Sequence, residues 1–300
     1  MGRVSVNNIE LEQFMKTEKE VIDKKLPIYI ESLQSPEKLK ASMIYSLEAG
    51  GKRVRPLLLL ATLHGFSKPL EIGYDVASAL EMVHTYSLIH DDLPSMDDDD
   101  LRRGKPTNHI IYGEAMATLA GDALLTKSFQ LISCSEHLTS ERKVDLIQRI
   151  SRAIGPEGMV GGQVADMEAE GKSLQAEDLQ QIHERKTGDL LAVAVEAGAM
   201  IAEADVEDVQ LLRQFAQHVG LAFQIKDDIL DIEGDEEELG KPVGSDEDND
   251  KNTYPKLLGL DGAKEKLEYH LTEAKKCLYQ TSTNHTLLKE LADYIGSRVN

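Results

Sequence analysis

Two aspartate clusters, far apart in the chain, hold the residue types best suited to managing metal ions and anions. The first is His90-Asp91-Asp92-Leu93-Pro94-Ser95-Met96-Asp97, continuing through Asp98-Asp99-Asp100-Leu101 to Arg102-Arg103. The second is Gln224-Ile225-Lys226-Asp227-Asp228-Ile229-Leu230-Asp231. Each is rooted in apolar sequence, so its carboxylates emerge from something patterned like core. Two such clusters suggest a cavity with acidic rims, a site for divalent cations and a polyanion.

The second cluster has the simpler geometry. Residues three and four apart share a helix face, which puts Asp231 on the stripe of Asp227 and Asp228, with Gln224 one turn earlier. Crowded carboxylates repel by roughly 1 kcal/mol per pair at about 4 Å even at water's dielectric, and by more when partly buried. Mg²⁺ prefers oxygen ligands and keeps waters while bridging to phosphate, so it is the natural compensation. An acidic solvent face would carry the same short motif. Leu221-Ala222-Phe223 before it, and Ile225, Ile229 and Leu230 within it, favour a buried cleft.

In the first cluster, Asp91 and Asp97 would point apart on an unbroken helix. Pro94 permits a bulge, so convergence of Asp91, Asp92 and Asp97 on one metal is allowed by the sequence without following from it. Asp98–Asp100 read as solvated or supporting acids. His84 lies two turns before Asp91 on the same face. A helical histidine is commonly structural, and here a polar ligand role stands beside that reading. Basic residues gather near the acids: Lys52 and Arg55 after Gly50-Gly51, Arg102-Arg103, and Lys186 ahead of Thr187-Gly188. Together they describe two kinds of anion site, one bridged by metal and one held directly by cations.

The elements that must position these residues read as helices. A first helix spans 8–25 and ends near Pro27, and Ser35-Pro36 starts a second that stops at Gly50-Gly51. Pro56 opens the apolar run Leu57–Leu63, and a turn at 67–69 leads into a long helix over 70–93. Helical periodicity continues over 107–135, 141–154, 158–170, 176–202 and 205–232, the last interrupted at Gly220. Residues 234–253 read as a polar loop, and 255–298 as two or three amphipathic helices. No strand and no Gly-rich nucleotide fingerprint stand out. The expected architecture is one all-α domain over 1–300, with too many helices for a four-helix bundle.

Composition sets outer bounds. Fifty-three acidic against 33 basic residues give a net charge of −20, which argues against nucleic acid as a partner. Cys134 and Cys277 lack metal-ligand spacing and read as reduced structural thiols. The N-terminus shows no signal-peptide core, and no run approaches the roughly 18 apolar residues of a spanning helix. A soluble, cytoplasmic protein without stable membrane insertion is expected.

With these residues assembled, the sequence resembles the trans-prenyltransferases, nearest the bacterial farnesyl diphosphate synthases. GGKRVRP, HTYSLIHDDLPSMDDDDLRRGKPT, the GGQ at 161–163, KTGDL and GLAFQIKDDILD occur in the family's order across nearly the whole chain. The resemblance implies an isoprenoid-synthase-type helical bundle around a deep central apolar cavity, and a homodimer. It implies that Asp91, Asp92, Asp97, Asp227, Asp228 and Asp231 hold more than one Mg²⁺ on an allylic diphosphate, with Asp227 foremost in its motif. Arg102, Lys186, Thr187, Gln224, Lys241 and Lys251 would contact that diphosphate. Arg102, Lys186 and Thr187 would also assist the chemistry. Lys52, Arg55, His84 and Arg103 would hold isopentenyl diphosphate without metal.

The implied reaction ionises the allylic C–O bond, lets the double bond of isopentenyl diphosphate attack the cation, and then loses a proton. It needs no protein nucleophile, in keeping with the absence of a recognisable Ser/His/Asp or Cys/His constellation. Family resemblance also assigns Tyr86 and Ser87, just before the first motif, to limiting product length. The Pro94-containing insertion resembles that of farnesyl producers, with geranyl or geranylgeranyl diphosphate synthase as the alternative. A class I terpene cyclase would line its pocket with aromatics, whereas this chain has 5% aromatic residues and no Trp. A non-catalytic partner subunit would be expected to lose an aspartate motif, and both are intact.

Overall fold

The computed structural model describes residues 6–172, 174–234 and 252–298. It resolves into two compact units, one of 1–60 with 70–147 and the other of 61–69 with 148–300. Apart from one short hairpin, the regular structure of the described residues is helical.

The first unit contains α1 (Val6–Glu31), α2 (Glu37–Leu47), α4 (Tyr74–Asp91), α5 (Asn108–Tyr112) and α6 (Glu114–Cys134). Its hairpin pairs β1 (Leu101–Arg102) with β2 (Lys105–Pro106). The expected stop at Pro27 does not occur: α1 runs through it to Glu31. Proline removes one helical hydrogen bond, but Ile22, Leu26 and Ile30 are fully buried on one stripe, and their packing outweighs that loss. Helix α2 starts at Glu37, one residue later than a Ser35 cap would place it. The segment read as one helix over 107–135 breaks at Gly113, whose φ of +86° turns the chain between α5 and α6. Helices α4 and α6 pack closely because Gly121 has no side chain; a Cβ there would lie 2.2 Å from His90 Nε2.

The chain passes from the first unit to the second within α3 (Val54–Gly65), returns after residue 69, and passes again within α7 (Ser140–Ile154). The second unit holds α8 (Met159–Ala169), α9 (Ala176–His183), α10 (Asp189–Ile201), α11 (Val206–Glu233), α12 (Tyr254–Leu278) and α13 (Thr286–Ser297). Helix α10 is buried along its length from Leu190 to Ile201, hence its continuous apolar sequence. Helix α11 runs unbroken through Gly220, correcting the expected interruption. That glycine lets α11 touch the backbone ahead of α10, since a Cβ would sit 2.8 Å from Gly188 Cα. The loop expected over 234–253 lies largely outside the described residues.

Candidate active site

The first acidic motif begins where α4 ends. Past Asp91 the chain tightens: Met96 N–H donates to Leu93 O at 2.8 Å, and Asp98 N–H to the same oxygen at 3.2 Å. Asp97 N–H donates to Asp91 O at 2.9 Å. The bulge that Pro94 permits is therefore present, and it brings Asp97 back beside Asp91. Asp91 is half-buried and Asp97 exposed, whereas Asp92 turns inward and is buried.

Asp92 is held by Arg102 from the hairpin. Arg102 donates from Nε at 2.6 Å and approaches with Nη2 at 2.5 Å, both to Asp92 Oδ1, while Asp99 Oδ2 lies 3.4 Å from Nη2. Burial pushes the Asp92 carboxyl above its ordinary range, and the guanidinium limits that rise. The hairpin loop is Arg103-Gly104, both with positive φ (+54° and +72°), the pattern of a type I′ turn. This turn sends Arg103 back to the glycine loop, where Nη1 donates to Gly50 O. Gly51 leaves room for it, because a Cβ would lie within 2.9 Å of three guanidinium atoms.

The four residues expected to bind a diphosphate without metal lie in this unit. Lys52 is half-buried on the loop leading into α3, Arg55 is half-buried in the first turn of α3, and Arg103 reaches that loop from the hairpin. His84 is half-buried on α4. Burial, then the charges of Arg55, Arg103, Arg102 and Arg53, hold its pKa well below the usual histidine value. A neutral imidazole among guanidiniums is a hydrogen-bonding group in a cationic pocket, suited to an anion. The same stretch of α4 also carries Tyr86, buried with its ring edge-on to His90 at 5.6 Å, and half-buried Ser87, whose hydroxyl donates to His84 O.

In the second unit, Lys186 and Thr187 sit in a π-helical turn, Glu184–Gly188, between α9 and α10. Such turns displace side chains from a regular helix and recur at functional sites. Gly162 of α8 makes room for the turn: a Cβ would meet Lys186 N at 2.3 Å. Lys186 pairs with Asp166. Thr187 Oγ1 donates to Gln224 Oε1 at 3.1 Å, and Gln224 Nε2 reaches Asp228 Oδ1 at 3.5 Å. Asp228, buried, also accepts from Tyr254 N–H at 2.9 Å. The His183 ring stacks on Tyr254 with Nε2 3.8 Å from Asp228, and burial depresses its pKa to about 4.

Asp227 is half-buried and bonded to Arg298 Nη2 at 2.6 Å; Arg298 also donates to Phe223 O and lies over the Phe223 ring. Asp231 is buried. Lys241 and Lys251 lie outside the described residues. Five participants went unrecognised in the sequence: Arg53, Asp166, His183, Tyr254 and Arg298. Asp166, three residues beyond the GGQ, had a signal in its spacing. Arg298 had none, because it is a single arginine near the end of an amphipathic helix.

Among the described residues, no three His, Cys, Asp or Glu side chains converge closely enough to cage a metal ion. Asp91 and Asp227 are half-buried and Asp97 is exposed, so these carboxylates reach the surface of their helices and turns.

The chain is similar to known proteins over most of its length. Residues 36–295 match the polyprenyl synthetase family. The chain is 55% identical over 291 residues to farnesyl diphosphate synthase of Bacillus subtilis, covering 96% of this chain and 98% of that protein. It is 54% identical to the farnesyl diphosphate synthase of Geobacillus stearothermophilus, with 97% and 98% coverage. An apo crystal structure of an FPP/GFPP synthase from Zymomonas mobilis superposes with a TM-score of 0.86 at 34% identity, covering 96% of this chain and 99% of that one.

Proposed function

The chain belongs to the polyprenyl synthetase family and is a prenyltransferase of the isoprenoid-synthase helical fold, and from that premise we propose that it makes farnesyl diphosphate. It condenses isopentenyl diphosphate with dimethylallyl and then geranyl diphosphate. The observation that carries this reading is the 55% identity to a farnesyl diphosphate synthase across nearly all of both chains. It operates as one domain over 1–300, in a cytoplasmic homodimer. Exposed Ile110, Ile111 and Leu119 on α5 and α6 suit burial against a second copy. No helix of the described residues is long and apolar enough to cross a membrane.

Asp91, Asp97 and Asp227 take the foremost metal roles, with Asp92, Asp228 and Asp231 completing the acidic set from buried positions. Mg²⁺, when bound, neutralises the charge that accumulates on the leaving diphosphate. Arg102, Lys186, Thr187, Gln224, Lys241 and Lys251 bind and orient the allylic diphosphate. Arg102 and Lys186 add positive charge where negative charge develops as the C–O bond breaks. Thr187, oriented by Gln224, offers its hydroxyl oxygen to the allylic cation. Lys52, Arg55, His84 and Arg103 fix the diphosphate of isopentenyl diphosphate so that its double bond meets that cation, the arrangement that makes the reaction effectively unimolecular. The departing diphosphate accepts the proton lost afterwards. Tyr86, with Ser87, limits how far the product grows.

The test is condensation by the purified protein with Mg²⁺, followed by Asp91→Ala and Asp227→Ala. Each substitution should abolish activity while circular dichroism stays unchanged. Retained activity in either would remove that residue from the metal set.

A further inference from the structure

The loop that carries Lys52 and leads to Arg55 in the first turn of α3 has no regular structure of its own. Gly50 and Gly51 have φ of +90° and +129°, and Arg53 itself is left-handed at +53°. For a residue with a side chain that conformation costs about 1–2 kcal/mol, so something must hold it. The Arg53 side chain is buried, at 3% exposure, whereas Lys52 and Arg55 are half-buried.

Its guanidinium has three partners from three helices. Nε donates to Asp23 Oδ1 of α1 at 2.7 Å, Nη1 to Glu81 Oε1 of α4 at 2.7 Å, and Nη2 to Leu47 O of α2 at 2.5 Å. Glu81 is equally buried, at 2%. It lies one helical turn before His84, so the pair pins the loop to the stretch of α4 that bears another anion-binding residue. Only a forked, five-donor side chain can serve all three partners; a lysine would reach one or two.

We infer that Arg53, through Asp23, Glu81 and Leu47 O, is a positioning residue that sets Lys52 and Arg55 in register with His84 for the metal-free diphosphate. The inference rests on the proposed role of those residues in holding isopentenyl diphosphate. A purely structural ion pair would affect folding and both substrates alike. A positioning residue affects one substrate.

Two variants test this. Arg53→Lys keeps the charge and loses the fork; its KM for isopentenyl diphosphate should rise about tenfold, with KM for geranyl diphosphate nearly unchanged and the melting temperature lowered by the buried hydrogen bonds it gives up. The double variant Arg53→Met/Glu81→Met replaces a buried ion pair by apolar side chains, an exchange that can leave stability intact. It should melt like the unaltered protein yet keep the raised KM for isopentenyl diphosphate. Should the double variant misfold, Arg53→Lys decides alone. An unchanged KM in Arg53→Lys, a wild-type KM in a folded double variant, or equal effects on both substrates would overturn the inference. Failure of the unaltered protein to condense the two diphosphates would overturn the functional reading instead.

Discussion

Arg102 lies across Asp92, directing Nε and Nη2 at a single carboxylate oxygen, at 2.6 and 2.5 Å. The pair joins the two-residue strand β1 to the first residue after α4, so one acid of the first motif orients a cation instead of standing open to solvent. This separates the two neighbouring aspartates: Asp91 stays half-buried at the surface, and Asp92 goes inward.

Asp92→Asn should therefore free Arg102 from its strongest partner. We expect kcat/KM for the allylic diphosphate to fall roughly tenfold or more, with KM for isopentenyl diphosphate little changed. Steady-state kinetics with each substrate varied in turn measures both. Equal losses for the two would mean that Asp92 serves the whole site.

Gly162→Ala should injure catalysis through backbone contact. The new Cβ would meet Lys186 N at 2.3 Å and Lys186 Cα at 2.7 Å, and backbone cannot rotate aside. Relief requires the π-helical turn to shift, carrying Lys186 and Thr187 with it. Overpacking of this kind costs about 1–3 kcal/mol, read by urea unfolding, and kcat should fall more than tenfold.

Acid should weaken the second unit through a histidine pair. His218 and His270 meet Nδ1 to Nδ1 at 3.0 Å, so only one of those nitrogens carries a proton in the neutral pair. Burial, His218 and Lys266 depress His270 to about 4 from 6.5 against the opposing pull of Glu273; burial lowers His218 against Glu273 and Glu184. Between pH 6.5 and about 4 the unfolded chain takes up a proton that folded His270 refuses. Stability present above that window is lost as pH falls through it, by up to about 3 kcal/mol for this group. His270→Gln should flatten the pH dependence of urea unfolding there. An unaltered slope would show that other groups govern acid stability.

Tyr86→Ala should lengthen the product. Tyr86 is 6% exposed on the α4 turn below Asp91, and truncation opens space where the growing chain is proposed to stop. Chromatography of dephosphorylated products should reveal species longer than farnesyl. An unchanged farnesyl product would move the limit elsewhere.

The helices were legible because apolar residues recur at helical spacing, and the acidic stripe at Asp227 because it interrupts an apolar run. Other features depend on contacts that no local pattern encodes. Pro27 reads as a stop, and only the burial of Ile22, Leu26 and Ile30 carries α1 through it. Gly220 reads as a break, yet it is where α11 meets Gly188. Strands of two residues are too short to show alternation, so the hairpin that aims Arg102 and Arg103 was invisible. The run Lys52-Arg53 looks uniform, while the structure turns Arg53 toward Glu81 and leaves Lys52 half-buried. The backbone approach of Asp97 to Asp91, which no local pattern encodes, is made by one hydrogen bond of 2.9 Å.

The most direct test of the central claim is product analysis with the purified protein, Mg²⁺, isopentenyl diphosphate and either dimethylallyl or geranyl diphosphate. Farnesyl diphosphate should form from both primers, and chelation of the metal should stop it. No chain-extended diphosphate from either primer would contradict the account.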